Sequence, residues 1–200
     1  MATREISSSD VLPLCPYPPY VSGKWRLASM DQAIATGQAP GANSIRLYPF
    51  YIYSALTIDR LGMCVTTLFA GGNEQAAIYA ADTATLNPTG NALVSTASMP
   101  SAATGSIEAT VSHTFEPGLY WAASNCDNAT NAFDANGSTS TWMSRAIGST
   151  SQASCLAVGS GTLSGYTFAQ TFGTWPDLTG QTFAELTTSQ RIPLIQFRVA

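Results

Sequence analysis

Phe115-Glu116-Pro117-Gly118-Leu119-Tyr120-Trp121-Ala122-Ala123-Ser124 is the stretch on which the fold turns. Ahead of it residues 106–115 alternate strictly. Ile107, Ala109, Val111, His113 and Phe115 share one side, and Ser106, Glu108, Thr110, Ser112 and Thr114 share the other, the period-2 pattern of a half-buried strand. Glu116-Pro117-Gly118 supplies turn chemistry, since proline presets φ at one position and glycine accepts the positive φ that a type II turn requires next. Leu119, Trp121 and Ala123 then resume an apolar face. The expectation is an antiparallel hairpin over 106–124 that carries a large aromatic into a core.

Outward from this stretch the same grammar repeats. Ile45–Tyr53 reads as a strand that Pro49 demotes to an edge or a bulge. Leu56–Phe69 is the longest strand candidate, with Leu61, Met63, Val65, Thr67 and Phe69 on one face, and Gly71-Gly72-Asn73 closes it. Gln75–Ala80, Ala92–Ala97, Gly165–Phe172 and Ile192–Val199 are further short strands, the last with Ile195, Phe197 and Val199 facing one way. Short strands broken by turn signals predict an all-β chain folded as an antiparallel sandwich or barrel. Trp25–Ala35, free of breakers and followed by Gly37, reads as a short helix. Residues 1–43 are thus expected to form an extended N-terminal arm with a short helix or linker, and residues 44–200 one sandwich domain.

Two segments depart from this pattern. Residues 1–23 interleave Pro13, Pro16, Pro18 and Pro19 with Tyr17 and Tyr20, which favours extended polyproline-like chain. The segment is either a disordered terminus or an arm that docks on a neighbour, and Pro16, Tyr17, Pro18, Pro19 and Tyr20 are the attachment candidates. Residues 125–165 are dense in Asn, Gly, Ser and Thr and read as a long loop excursion, with Trp142-Met143 and Cys155–Val158 anchoring it to the core.

Charged residues make up 10% of the 200 residues, against roughly a quarter in an average soluble protein, and the net charge is −4. Lys24 is the sole lysine, so no basic stripe exists for a phosphate backbone and nucleic acid is excluded as a partner. No run of about 18 apolar residues predicts membrane insertion, and no apolar signal-peptide core stands in the first thirty residues, which predicts assembly in a cytoplasm. Cys15, Cys64, Cys126 and Cys155 lack C-x-x-C spacing and read as buried free thiols, a Cys126–Cys155 bridge being the alternative. Neither a zinc set nor any other cofactor is expected.

Candidate sites are weak. His113, the only histidine, lies on the apolar side of its strand and reads as a core residue. No G-x-S-x-G elbow occurs. Asp59, Glu74, Asp82, Glu108 and Glu116 are carboxylates on or beside strands, but spacing singles out no glycosidase pair. Asp127, Asn128, Asp134 and Asn136 offer oxygens for calcium, and turn chemistry explains them more simply. Asn128-Ala129-Thr130 and Asn136-Gly137-Ser138 match the glycosylation acceptor pattern, which is idle without an export signal. Trp142 and Trp175 are the candidates for contact with a ligand, as exposed faces on which a sugar ring stacks. No enzymatic activity is expected.

Three segments in this order and spacing resemble one family: Tyr48-Pro49-Phe50-Tyr51-Ile52, then Leu56–Thr66 leading to Ala77-Ile78-Tyr79, then Pro117-Gly118-Leu119-Tyr120-Trp121. They resemble a β-sandwich domain of bacteriophage tail-fibre and other minor virion proteins, over residues of about 44 to 124. The resemblance implies a jelly-roll-like module displayed on a virus particle as fibre, spike or capsid decoration, often as a homotrimer, with other virion proteins as partners. No collagen-like Gly-X-Y run and no heptad stalk precedes the domain, so a compact subunit attached by its Pro/Tyr arm suits the chain better than a long fibre. The alternative is a carbohydrate-binding or host-receptor-binding module that takes a host surface glycan.

Overall fold

The computed structural model describes residues 18–29, 34–136, 143, 147–148, 152, 163–187 and 192–200. They form two antiparallel sheets packed face to face, an all-β sandwich. One sheet holds six strands: β1 (Trp25–Leu27), β2 (Ile34–Gln38), β4 (Leu56–Thr67), β8 (Gly105–Phe115), β10 (Ala132–Asn136) and β13 (Gln196–Val199). The other holds seven: β3 (Ser44–Ile52), β5 (Asn73–Ala81), β6 (Pro88–Ser95), β7 (Met99–Pro100), β9 (Gly118–Cys126), β11 (Leu163–Ala169) and β12 (Ala184–Thr187).

Eight of these strands carry the winding. They lie in the order β2-β10-β4-β8 in the first sheet and β3-β9-β5-β6 in the second. The first of the eight pairs with the last, β2 with β10. The second pairs with the seventh, β3 with β9; the third with the sixth, β4 with β8; and the fourth with the fifth, β5 with β6. Four nested antiparallel pairs that alternate between two sheets are the jelly roll. β13 and β1 widen the first sheet beside β4, and β11 and β12 widen the second beside β3.

The pairing corrects three expectations. β8 and β9 do not form a hairpin: β8 pairs with β4 and β9 with β3 and β5, so Glu116-Pro117 carries the chain from one sheet to the other. Gly118 accordingly has no positive φ and begins β9 as extended chain. The helix over 25–35 is replaced at its two ends by β1 and β2, because β13 and β10 offer ladders there and tertiary pairing overrides a weak local preference. β3 is an interior strand over Ser44–Leu47, where β11 and β9 flank it, and at Pro49 β9 is its one ladder among the described residues, so the edge expected of the proline holds only there.

The two sheets differ in what covers them. Tyr48, Phe50, Ile52, Ile58, Leu61, Met63, Ile78, Ala122, Phe115, Phe133 and Phe197 fill the space between them. The outer face of the first sheet is wet, so β8 keeps its alternation: Val111 and Phe115 are buried, His113 is half-buried with its ring edge-on to Phe115, and the even-numbered residues are exposed. The outer face of the second sheet carries a second core. Ile45, Leu47, Ala77, Tyr79, Trp121 and Ala123 lie there under Met143, Leu163 and Leu178. Trp121, fully buried, therefore belongs to this outer core and not to the space between the sheets.

Candidate functional site

Three places gather the residues that carry chemistry. The base of the arm is one. Tyr20 stacks on Tyr53 with ring centroids 4.5 Å apart and turns an edge towards Phe197 at 6.2 Å. The Tyr53 hydroxyl donates to the Pro18 carbonyl at 3.0 Å, and Arg26 Nη2 donates to the Pro19 carbonyl at 3.2 Å. Burial, and then the neighbouring Tyr53, push the Tyr20 phenol well above its ordinary range. Gly23, with φ of +75°, turns the chain into β1 and donates its N–H to Val199 O at 2.8 Å. Pro18, Pro19 and Tyr20 are thus clamped to their own domain. Pro16 and Tyr17 lie outside the described residues.

The outer core of the second sheet is the next. Trp121, Tyr166 and Phe183 stack in sequence, with centroids 5.1 and 5.4 Å apart, and Phe168 meets Phe183 edge-on. Trp121 Nε1 donates to Leu86 O at 2.9 Å, and the Tyr79 hydroxyl donates to Pro176 O at 3.1 Å, tying the β5–β6 loop and the 176–182 segment over the face. Trp175 is half-buried here, edge-on to Tyr79, and its Nε1 is buried without a hydrogen-bond partner. Trp142 lies outside the described residues. A cleft of about 320 Å³ separates Thr85 and Asn87 from Thr179, Gln181 and Phe183. The Asp82 carboxylate does not open into it as a free acid: its Oδ1 accepts from the N–H of Ala84 and Thr85 and from the Thr85 hydroxyl, which holds its pKa low.

The third is a buried polar knot at the opposite end of the sandwich, where the β4–β5, β7–β8 and β9–β10 connections meet. Glu74, at the start of β5, is fully buried. Asn131 Nδ2 donates to its Oε1 at 2.9 Å and also to the Ser101 hydroxyl, while Glu74 Oε2 has no partner. Burial pushes the Glu74 carboxyl up to about 8; the Asn131 donor opposes this and the Asp127 charge adds to it. Asp127 Oδ1 accepts from Asn73 N at 3.0 Å and from Asn128 Nδ2 at 2.9 Å, and its Oδ2 from Asn73 Nδ2 at 2.8 Å. Burial raises that carboxyl, but these donors outweigh it and hold it below its ordinary value. Gly72 makes room for the knot: a Cβ there would stand 2.7, 2.8 and 2.9 Å from Asn128 Nδ2, Asn131 Nδ2 and Ser101 Oγ.

The remaining candidates fall as follows. Asn128 Oδ1 caps the N–H groups of Thr130 and Asn131, and Asn136 Oδ1 accepts from Ile192 N, so the amide oxygens considered for calcium serve a turn and a strand end, while the Asp134 carboxylate lies beside the Cys64 thiol. Among the described residues no group of three or more acidic, histidine or cysteine side chains is placed to hold a metal. Asp59 makes a two-pronged pair with Arg198 at 2.8 and 2.6 Å, and Glu108 meets Arg60 at 3.4 Å, both on the wet face of the first sheet. Cys64 and Cys126 are free thiols; burial, and then the Glu74 charge, push Cys126 up to about 12. Cys15 and Cys155 lie outside the described residues. What sequence reasoning missed is that Tyr53 and Arg26 would hold the arm and that Glu74 would meet Asn131, itself bonded to Ser101. The tyrosine-rich run 48–53 was a signal for the first, and nothing local signalled the second.

Comparison with protein-family models, curated proteins and solved structures finds no match. The likeness to phage virion domains rests on the quoted segments alone.

Proposed function

We propose that this chain is a bacteriophage virion structural protein, a fibre, spike or capsid-decoration subunit held by its N-terminal arm and displaying a β-sandwich outward. The observation that carries the reading is the position of the arm. Its base is clamped by Tyr53 and Arg26 at the end of the sandwich where β3 finishes, and the β4–β5, β7–β8 and β9–β10 loops lie at the other end, the whole length of β9 away. A jelly roll held at one end and presenting loops at the other suits a module on a particle surface, and viral capsid domains are among the established users of this topology. The low charge and the polar Ser/Thr/Asn surface fit the same role. Partners are then other virion proteins and further copies of the chain, with a trimer as the assembly the resemblance implies.

The clamp also narrows the attachment element. Pro18–Tyr20 are spent on the chain's own domain, so residues 1–17 are the part left to engage a particle. Deleting residues 1–17 is expected to leave a folded domain, by circular dichroism and thermal melt, that no longer enters particles in an infection complemented by the truncated gene. Normal incorporation of the truncated protein would refute the arm as the attachment device. The alternative of a glycan-binding module needs open aromatic faces. Trp175 packs edge-on against Tyr79, and the rings of Trp121, Tyr166 and Phe183 cover one another, so these side chains favour a structural role over sugar stacking.

A further inference from the structure

We infer that Glu74 is a proton-controlled latch: its neutral carboxyl holds the β4–β5, β7–β8 and β9–β10 loops together, and its ionisation releases them. The inference stands on geometry. A fully buried carboxyl with one donated hydrogen bond and one oxygen without a partner is stable only when uncharged, because an unpaired buried carboxylate loses its hydration without compensation. Among the described residues no cation offsets it. From the β9–β10 turn the facing charged group is the Asp127 carboxylate, which repels; from β9 it is the Cys126 thiol, which stays protonated. The Arg46 guanidinium on β3 lies close enough to that thiol to act on it. Ser101, on the way into β8, and Gly72, in the β4–β5 loop, bring no charge.

The knot has little room to adjust in place. Gly72 has no space for even a methyl group beside Asn128, Asn131 and Ser101, and its carbonyl accepts from Ser101 N at 2.9 Å. A charge on Glu74 is therefore relieved by letting water in, which means parting it from Asn131 and the Ser101 bonded to Asn131. Those residues belong to the loops that close this end. Leu68 and Phe69, exposed at 46% and 42%, stand on the first of these loops, so the latch controls how an apolar pair is presented at the loop end.

The direction with pH follows from linkage. An open loop lets Glu74 ionise near 4.5, the closed knot only near 8. Below about pH 4.5 both forms are protonated and the latch holds fully. Between the two values the open form alone has lost the proton, so closure weakens by about tenfold per pH unit, and above about pH 8 the loss levels off. The test is hydrogen–deuterium exchange of the full chain from pH 5 to 9, corrected for intrinsic rates, on peptides spanning 68–75, 99–105 and 126–133. Protection there is expected to fall about tenfold per unit up to pH 8, while peptides from β3 hold theirs and Glu74→Gln shows no such fall. Flat protection in the unaltered protein, or the same fall in Glu74→Gln, overturns the latch. Should Glu74→Gln not fold, carboxyl NMR of the unaltered protein labelled at glutamate decides: a Glu74 midpoint at or above pH 7 supports the latch, and a lower one overturns it.

Discussion

The outer faces of the two sheets make the instructive contrast. On the first sheet Thr57 and Thr114 bond each other in solvent at 2.8 Å, and Asp59, Arg198, Arg60 and Glu108 form a charged patch; among the described residues no apolar cluster lies over them. On the second, the rows Leu47–Ala123–Ala77 and Pro49–Trp121–Tyr79 cross three strands and are buried, with Met143, Leu178, Trp175 and Phe183 packed over this face. One sheet thus has a core on one side and the other on both. The lesson is that a long polar excursion in the sequence need not be idle: Met143 and Leu178, in turn-rich surroundings, seal a face that would otherwise expose tryptophan and tyrosine.

The largest expected effect tests whether that outer core is a true core. Trp121→Ala removes a fully buried side chain and its bond to Leu86, and is expected to cost about 3–5 kcal/mol in urea unfolding. Thr114→Ala on the wet face is expected to stay within about 0.5 kcal/mol. Equal costs would break the contrast. A smaller effect sharpens it. Gly165 lets β11 approach β3 closely, since a Cβ there would stand 2.2 Å from the Leu47 carbonyl oxygen and 2.1 Å from Ile192 Cδ1. Because backbone is in the way, Gly165→Ala is expected to cost roughly 1–3 kcal/mol or more, read as a lowered urea midpoint. The smallest concerns the charged patch: Arg198→Gln breaks a part-buried, two-pronged ion pair and is expected to lower the melting temperature only slightly, and less in high salt than in low.

The contrast also explains what could be read without a structure. β8 and β13 were legible because one side of each meets water, so apolar and polar residues alternate through Val111, His113 and Phe115 and through Ile195, Phe197 and Val199. β9 was legible as a strand but not as a member of a sheet. Leu119, Trp121 and Ala123 announce an apolar face without saying which side of a sandwich it serves, and Glu116-Pro117 turns a hairpin or crosses between sheets with the same residues. The first turn of the jelly roll was misread for a related reason: Trp25–Ala35 has no breaker, and only the ladders offered by β13 and β10 make strands of its ends. At the candidate site the Pro/Tyr arm stood out by composition, whereas its clamp needs Tyr53, 33 residues beyond Tyr20. The Glu74 knot was out of reach, because its parts lie at 72–74, 101 and 126–131 and only the fold brings them together.

The account rests most heavily on the claim that the domain is held at its arm end and displays its loop end. Gold labelling of particles tests this directly, with a short nickel-binding tag inserted either after Ala129 in the exposed β9–β10 turn or after the C-terminal Ala200, which lies at the arm end where its N–H bonds Thr57 O. The account predicts that the 129 label stands farther from the particle surface than the 200 label, by about 30 Å, the length of a nine-residue strand such as β9. Labels at equal distance, or the reverse order, would contradict it.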